Sequence, residues 1–249
     1  MINNKPKISI ITACYNSGKT LKQTIESVLY QTNTNIELIL IDGGSKDDTI
    51  DIIRQYEAKF TEKNLGYKWI SESDAGIYDA LNKGIKLATG EFIGVLGSDD
   101  WYESDALTNV INVYTNNKDV DLIFGAVKFY RNEEPVYIEQ IYPIELQRRT
   151  MHHQGIIYRR NLHNKFGYYS LINKVSSDYE FLLKCKLGNA IFIPTKVIIA
   201  NFRLGGTNNK FYYLGIREEA KIQYVHHVIN KKQLCVMFIK SFILKYFKK

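Results

Sequence analysis

The stretch Glu91-Phe-Ile-Gly-Val-Leu-Gly-Ser-Asp-Asp100 decides which fold the sequence predicts. A strand is predicted over Glu91 to Leu96, since the five residues after Glu91 form a short apolar run typical of a strand buried in a sheet, and the turn that follows ends in two adjacent carboxylates. Such carboxylates repel each other unless a cation lies nearby, and hard divalent cations prefer oxygen ligands. The alternative is an acidic turn that caps the next helix. Taken alone, the turn favours the capping role, so its surroundings must decide.

Three earlier apolar runs have the same design, because small polar or acidic residues follow each of them. These strands are predicted at 8–11, 36–41 and 67–70, and polar residues follow at 12–16, 42–45 and 71–74. Helical periodicity lies between the strands, as at 77–88, where Asn82 and Lys83 are expected opposite the apolar face. Alternating strands and helices predict an α/β fold with a mainly parallel sheet flanked by helices. Ligands of such sheets bind at the carboxyl ends of the strands.

The second half of the chain follows this rhythm less regularly and contains no linker rich in Pro, Gly or Ser. Further strands are predicted at 122–129, 136–141 and 190–199. Further helices are predicted at 106–114, 179–187 and 212–230. The simplest division is one large domain, residues 1–230, followed by a basic amphipathic C-terminal helix, residues 231–249.

Charge and cysteine content exclude several classes of protein. The net charge is +7, but six lysines and no acidic residue lie within 231–249, so nearly all of the excess belongs to the tail. A nucleic-acid groove would need basic residues spread over the fold, so we expect no nucleic-acid partner. The three cysteines lack CxxC spacing, which argues against a disulfide framework and a thiolate zinc site. A cytoplasmic location without a secretory signal is therefore predicted.

Four segments, in this order, resemble glycosyltransferase family 2, of the bacterial surface-polysaccharide type. They are Ile8-Ser-Ile-Ile-Thr-Ala-Cys-Tyr-Asn16, Ile41-Asp-Gly-Gly-Ser-Lys-Asp-Asp-Thr49, Ser71-Glu-Ser-Asp-Ala-Gly-Ile-Tyr-Asp-Ala-Leu-Asn-Lys-Gly84 and Gly97-Ser-Asp-Asp100. The resemblance covers residues 7 to about 205, and its motifs are specific as an ordered set. It implies the Rossmann-like GT-A fold and transfer of a sugar from a nucleotide diphosphate donor. In one departure, Gly43 stands where the family usually has a second Asp.

The resemblance also implies roles at the donor side of the site. Asp42 is expected to accept a hydrogen bond from the donor's base, which suits the imide N–H of uracil or thymine. Asp100 is expected to hold Mn²⁺ or Mg²⁺, which could neutralise the departing diphosphate. The other residues implied to bind the nucleotide sugar are Thr12, Ala13, Tyr15, Asp74, Lys83, Ser98 and Asp99.

On the acceptor side, Asp178 stands where such enzymes place the general base that takes the proton of the attacking hydroxyl. Ser177 replaces a Glu that is frequent in the family, and the alternative role for Asp178 is an N-cap. His153 is implied as a nitrogen ligand of the metal or a contact of the acceptor, with a structural histidine as the alternative. Gly205-Gly206-Thr207 resembles a mobile loop that closes over the donor, or else is a plain turn.

The tail has a separate pattern. Over 232–247, helical periodicity places Cys235, Val236, Ile239, Phe242 and Ile243 on one face with lysines opposite, although Leu234, Met237 and Leu244 intrude. The stretch is shorter than the roughly 20 residues that span a bilayer. It predicts a helix lying on the inner face of the cell membrane, with lysines toward anionic headgroups. The alternative is packing on the domain or on a second subunit.

The sequence therefore predicts an inverting, metal-dependent glycosyltransferase that moves a sugar from a uridine diphosphate donor to a lipid-linked saccharide in surface-polysaccharide biosynthesis. Two alternatives stay open. A nucleotide-sugar-binding subunit without catalysis would bind the donor and not turn it over. A nucleotidyltransferase would need a glycine-rich basic loop after the first strand, and Tyr15-Asn-Ser-Gly-Lys19 has too little glycine and charge to favour it.

Overall fold

A computed structural model describes residues 5–32, 35–205 and 212–247, so Gly206 and Thr207 of the predicted mobile loop lie outside the described residues. Within this part of the chain, nine strands form one sheet: β1 (Ile8–Cys14), β2 (Ile36–Asp42), β3 (Gly66–Ser71), β4 (Phe92–Val95), β5 (Trp101–Tyr102), β6 (Leu122–Arg131), β7 (Glu134–Glu139), β8 (Ile156–Arg159) and β9 (Phe192–Arg203). The α-helices there are α1 (Leu21–Leu29), α2 (Thr49–Gln55), α3 (Glu57–Glu62), α4 (Ile77–Leu87), α5 (Ala106–Asn116), α6 (Leu162–Phe166), α7 (Ser177–Leu187), α8 (Tyr212–Val225) and α9 (Lys231–Phe247).

The sheet has the strand order β3-β2-β1-β4-β8-β6-β9-β5, and β7 pairs with β6 outside this path. The first four strands of this order are parallel to one another. Beyond β4 the sheet is mixed, because β8 runs antiparallel to both β4 and β6 while β9 runs parallel to β6. The predicted α/β fold is confirmed, and its parallel part is the half that contains the four sequence motifs.

Two apolar cores lie on opposite faces of this sheet, and the period-2 alternation of strand side chains assigns residues to them. In β2, Leu38 and Leu40 belong to the core beneath α1 and α5, whereas Ile39 and Ile41 belong to the core beneath α4 and α7. Each such side chain contributes roughly 1.5–3 kcal/mol when it is fully buried. The strands are therefore rigid, and they fix where their carboxyl ends lie.

Side-chain hydrogen bonds tie these strand ends together. The backbone N–H of Asn16, just after β1, donates to Ser45 Oγ at 2.8 Å. The hydroxyls of Ser17 and Ser98 are 2.8 Å apart and connect the β1 end to the β4 end. Ser71 Oγ, at the end of β3, donates to Asp42 at 2.7 Å. The four polar segments predicted at one edge of the sheet thus form one bonded surface.

Helix α4 corrects one expectation about side-chain direction. Asn82, predicted on its polar side, is buried, donates to the carbonyl of Tyr169 at 2.9 Å and accepts that residue's N–H at 3.0 Å. An amide can satisfy a backbone donor and acceptor at once, which an apolar side chain cannot. Asn82 therefore ties α4 to the segment before α7.

The C-terminal helix α9 packs on α8 with a face that differs from the predicted apolar face. Ser241 is buried, and its hydroxyl donates to the carbonyl of Tyr213 at 2.7 Å. Leu234, Met237 and Leu244, which interrupt the predicted polar side, are partly buried and belong to the same packed face as Ser241. The predicted face stays exposed, with Val236 and Ile239 each 60% accessible. Among the described residues, no helix is long and apolar enough to cross a membrane.

Candidate active site

The carboxylates of Asp99 and Asp100 lie in the turn between β4 and β5. Asp100 is only 1% exposed, and it accepts the backbone N–H of Arg203 on β9 and the amide of Gln154, each at 3.0 Å. Gly97 leaves the space that they need, because a Cβ there would lie 2.5 Å from Asp100 Oδ2 and 3.2 Å from Asp99 Oδ1. Both carboxylates therefore lie against the same glycine backbone.

This crowding makes it costly to ionise the carboxyl groups of Asp99 and Asp100. Burial raises the pKa of Asp100 to about 7, and the charge of Asp99 adds to the rise. Burial also raises the pKa of Asp99, against the opposing effect of the Arg203 guanidinium. A divalent cation would relieve the repulsion. The described residues contain no cluster of three or more metal-ligating His, Cys, Asp or Glu side chains. Mg²⁺ typically needs only one or two carboxylates, with phosphates and water completing its shell, so the pair fits such an ion.

Three residues at the end of β1 were predicted to bind the donor, and they differ in accessibility. Ala13 lines the large cleft beside the sheet edge, and Tyr15, just after β1, is 63% exposed. Thr12 is fully buried, and its hydroxyl has no hydrogen-bond partner among the described residues. Ser98 faces Ser17 in this same region. The structure therefore brings Ala13, Tyr15 and Ser98 to the site surface and leaves the side chain of Thr12 beneath it.

Asp42 shapes the turn that follows β2. It is 0% exposed, and its Oδ2 accepts the N–H groups of Gly44 and Ser45, both at 3.0 Å, and the hydroxyl of Ser71. Its Oδ1 accepts the hydroxyl of Ser45. The carboxylate thus accepts four hydrogen bonds, which is its usual full capacity, so Asp42 is engaged within the strand ends.

Asp74 and Lys83 lie on the neighbouring edge, after β3. Asp74 accepts the N–H of Gly76 at 2.8 Å, and a Cβ on Gly43 would lie 2.7 Å from its Oδ2. Asp74 thus fills the space of a side chain at position 43, which accounts for the glycine there. Lys83 pairs with Glu72 at 2.8 Å and with Asp79 at 3.5 Å, which raises its pKa. The Lys83 ammonium group is therefore already paired with carboxylates of its own segment.

A cleft of about 1000 Å³ opens beside the Asp99–Asp100 turn, and Gly97, Asp178, His153 and Gln154 are among its lining residues. Asp178 lies within α7, and the cap position belongs to Ser176, so the N-cap alternative for Asp178 is wrong. The Tyr78 hydroxyl donates to Asp178 Oδ1 at 2.8 Å. Burial and the Asp178 charge raise the pKa of Tyr78, so it stays a neutral donor. The carboxylate of Asp178 is thus held at the cleft wall by a residue from α4.

His153 belongs to a buried aromatic network. Its Nε2 lies 2.9 Å from the Tyr169 hydroxyl, which in turn lies 2.9 Å from that of Tyr158. Tyr158 continues to His163 at 3.0 Å. Burial lowers the pKa of His153, so its ring is neutral near pH 7. In the described residues, the side chain of this segment that contacts Asp100 is that of Gln154, which supports a structural role for His153.

Several residues of the site were missed from sequence. Tyr78 lies inside a quoted motif, yet only the structure shows that it meets Asp178, 100 positions away. Arg203 gave no signal, although its Nε donates to the Asp99 carbonyl at 3.3 Å and its guanidinium lies 5.2 Å from the centre of the Trp101 ring. Gln154, which contacts Asp100, directly follows His153, so the prediction at His153 could have been extended to it.

The sequence model for the family described as Glycosyl transferase family 2 matches residues 9–179, which include Asp178 and all of the four motifs except Ile8. The chain belongs to glycosyl transferase family 2. A relative described as a PGL/p-HBAD biosynthesis glycosyltransferase, from Mycobacterium tuberculosis, is 34% identical over 213 residues, with 82% of this chain and 80% of the relative covered. Chondroitin synthase of Escherichia coli is 28% identical over 236 residues, which cover 91% of this chain and 33% of that protein.

Solved structures share the fold at lower identity. Residues 1–349 of S. aureus TarS, in complex with UDP-GlcNAc, superpose with a TM-score of 0.68 at 18% identity, covering 96% of this chain and 73% of that one. The mannosyltransferase PcManGT from Pyrobaculum calidifontis, in complex with GDP-Man and Mn²⁺, has a TM-score of 0.68 at 15% identity, covering 99% and 71%. These likenesses confirm the GT-A fold. The family membership makes the chain a glycosyltransferase and gives no support to a nucleotidyltransferase.

Proposed function

We propose that this family 2 enzyme is an inverting, metal-dependent transferase that moves a sugar from a uridine diphosphate donor to a lipid-linked saccharide. The observation that carries the proposal is one shared cleft. Gly97, against which the Asp99 and Asp100 carboxylates lie, and Asp178 both line it. The carboxylate turn behind Gly97 and the Asp178 carboxylate would thus serve one space, as transfer between two substrates requires.

On the donor side, the nucleoside would bind along the bonded strand ends. Tyr15 offers an exposed ring for the base, and Asp42 Oδ1 would exchange its bond to the Ser45 hydroxyl for one to the imide N–H. Asp99 and Asp100 would hold Mn²⁺ or Mg²⁺ together with the diphosphate. When bound, this ion would supply positive charge that stabilises the departing diphosphate. His153 is left out of this ligand set because Tyr169 occupies its Nε2.

On the acceptor side, Asp178 would act as the general base. The acceptor hydroxyl oxygen forms a bond to the anomeric carbon while the bond from that carbon to the diphosphate oxygen breaks. The nucleoside diphosphate leaves with the bonding electrons, and the hydroxyl proton passes to Asp178. Tyr78 holds the carboxylate by donating to its Oδ1, which leaves the other oxygen to meet the acceptor. One displacement inverts the configuration at that carbon.

The C-terminal helix supports a lipid-linked acceptor and peripheral binding to the cytoplasmic face of a membrane. Its exposed apolar residues include Val236 and Ile239, while Met237 and Lys240 of the same helix line the cleft. A surface that binds lipid would thus lie beside the acceptor entrance. Arg148 and Lys174 also line the cleft and have no ion pair within the described residues, which suits an acceptor that carries phosphate.

The experiment that tests this proposal measures nucleoside diphosphate release. Purified protein is incubated with Mn²⁺ and each of a panel of nucleotide sugars, with and without membrane extract. We expect release from a uridine diphosphate sugar, stimulated by the extract and abolished in Asp100→Ala. Asp119→Ala, which changes an exposed carboxylate outside the cleft, is the matched control and should behave as wild type.

Two further outcomes are decisive. Donor binding without release from any nucleotide sugar would instead support the non-catalytic subunit. If release occurs, the anomeric configuration of the product is read by proton NMR. Retention of the donor's configuration would contradict the single displacement with Asp178 as its base.

A further inference from the structure

Glu219 presents a carboxyl group to the cleft from a helix that none of the four motifs includes. Leu214 of α8 lines the cleft together with Tyr212, Gly215, Ile216 and Glu219, and the latter four follow the helical spacing i, i+3, i+4, i+7. Within this face, Glu219 alone has a side chain that can be charged. Asp178 reaches the same cleft from the first turn of α7.

The position of Glu219 is fixed by its neighbours on α8. The carboxylate of Glu218 accepts the backbone N–H groups of Lys174 and Val175, at 2.8 and 2.9 Å, in the loop before α7. One turn further along, the Gln223 amide donates to the Tyr179 hydroxyl at 2.9 Å. These bonds clamp α8 to both sides of the α7 start, so Glu219 is held at a defined place in the wall of the cleft that Asp178 also lines.

Glu219 has no protein partner to explain it. Within the described residues it makes no hydrogen bond and no ion pair, although it is partly buried in a largely apolar wall. An unpaired buried charge is costly, so such a group tends to stay neutral. Burial, and then the charges of Asp178 and Glu218, raise the pKa of Glu219 to about 7. Lys174 and Lys240 also line the cleft, but neither forms an ion pair with Glu219.

We infer that Glu219, as a neutral acid, donates a hydrogen bond to an oxygen of the acceptor sugar and so orients the hydroxyl that Asp178 deprotonates. This inference rests on the proposed function and assigns to the same cleft a residue that recognises the acceptor. The two carboxyl groups then have opposite roles, because Asp178 accepts a proton while Glu219 offers one.

The test measures binding of simple acceptor probes, independently of turnover. Decyl glycosides of glucose, galactose, N-acetylglucosamine and rhamnose are titrated calorimetrically into wild type, Glu219→Gln and Glu219→Ala at pH 6 and pH 8. Glutamine keeps the length and an N–H donor but cannot ionise. Glu62→Gln, at an exposed position on α3, is the matched control. Thermal unfolding of each variant checks that it is folded.

We expect Glu219→Ala to weaken binding of the best glycoside about tenfold at pH 6, while Glu219→Gln stays within about threefold of wild type. Wild-type affinity should fall between pH 6 and pH 8, because Glu219 loses its proton as the pH rises through its pKa, and Glu219→Gln should show no such fall. Equal affinity of wild type and Glu219→Ala, or a Glu219→Gln as weak as Glu219→Ala, overturns the inference.

Failure of the inference is distinguishable from failure of the proposed function. If wild type releases uridine diphosphate from its donor but binds every glycoside no better than Glu219→Ala does, Glu219 does not recognise the acceptor and the transferase assignment stands. If no nucleoside diphosphate is released from any donor, the proposed function fails by its own test.

Discussion

The proposed donor edge and the proposed acceptor cleft are built in different ways. At the donor edge, four short turns follow four parallel strands, and hydrogen bonds such as those of Ser17 with Ser98 and of Ser71 with Asp42 join them. The acceptor cleft is walled by segments far apart in sequence, from α4, α7, α8 and α9. The first region is set by local turns on a rigid sheet, and the second by packing between helices.

This difference predicts that the two regions can be damaged separately. Donor binding should depend on the carboxylates at the β4 end, and transfer should depend in addition on the carboxyl groups of the cleft. Variants that separate nucleotide affinity from turnover therefore test the comparison itself.

The largest effect is expected for Asp178→Asn, which removes the base while keeping the shape of the side chain. Transfer to membrane acceptors should fall about 10²–10⁴-fold, the usual contribution of general base catalysis. Uridine diphosphate release in the presence of acceptor is the measurement, with Asp119→Asn as the control. Activity within about threefold of wild type would place the base elsewhere.

Tyr78→Phe should lower transfer about 10–100-fold, because a hydrogen bond to a charged group is lost while the ring keeps its packing. We expect the loss in kcat, with the KM for the donor unchanged, since Tyr78 meets only the cleft side. Tyr224→Phe, at an exposed position on α8, is the control. A raised donor KM with unchanged kcat would mean that Tyr78 belongs to the donor edge instead.

Ile239→Glu should weaken sedimentation with anionic phospholipid vesicles about tenfold, because one apolar side chain is withdrawn from the lipid and a negative charge is added. Ile138→Glu on β7 introduces the same change at another exposed isoleucine and should leave vesicle binding unaltered. An equal loss of vesicle binding in both variants would mean that α9 is not the membrane-binding surface.

Asp100→Asn should raise thermal stability by a few degrees at pH 8 without divalent cations. The folded pKa of Asp100, about 7, exceeds its ordinary value of 3.8, so the folded protein holds this proton more tightly than the unfolded chain. The contribution of the Asp100 carboxyl to wild-type stability therefore falls as pH rises from about 4 to about 7. The amide of Asp100→Asn does not ionise, so the variant does not lose this contribution. A Tm difference that is the same at pH 4 and pH 8 would contradict the assigned pKa.

How much the sequence could predict also follows from the comparison. The parallel strands and the polar turns after them were predictable, because apolar runs such as Ile36–Asp42 and the turn at Asp99–Asp100 are local patterns. The short strands β5 and β8 were missed, since two to four residues give no periodicity. Glu219 and Arg203 were missed for another reason. Their places depend on how α8 and β9 return to the sheet, which a single sequence does not encode locally.

Titration of uridine diphosphate, with Mn²⁺ present, into wild type, Asp100→Asn and Asp178→Asn separates the two regions most directly. We expect Asp178→Asn to bind the nucleotide as wild type does, and Asp100→Asn to bind it at least tenfold more weakly. Equal weakening in both variants, or no weakening in Asp100→Asn, would contradict a donor edge that is separate from the acceptor cleft.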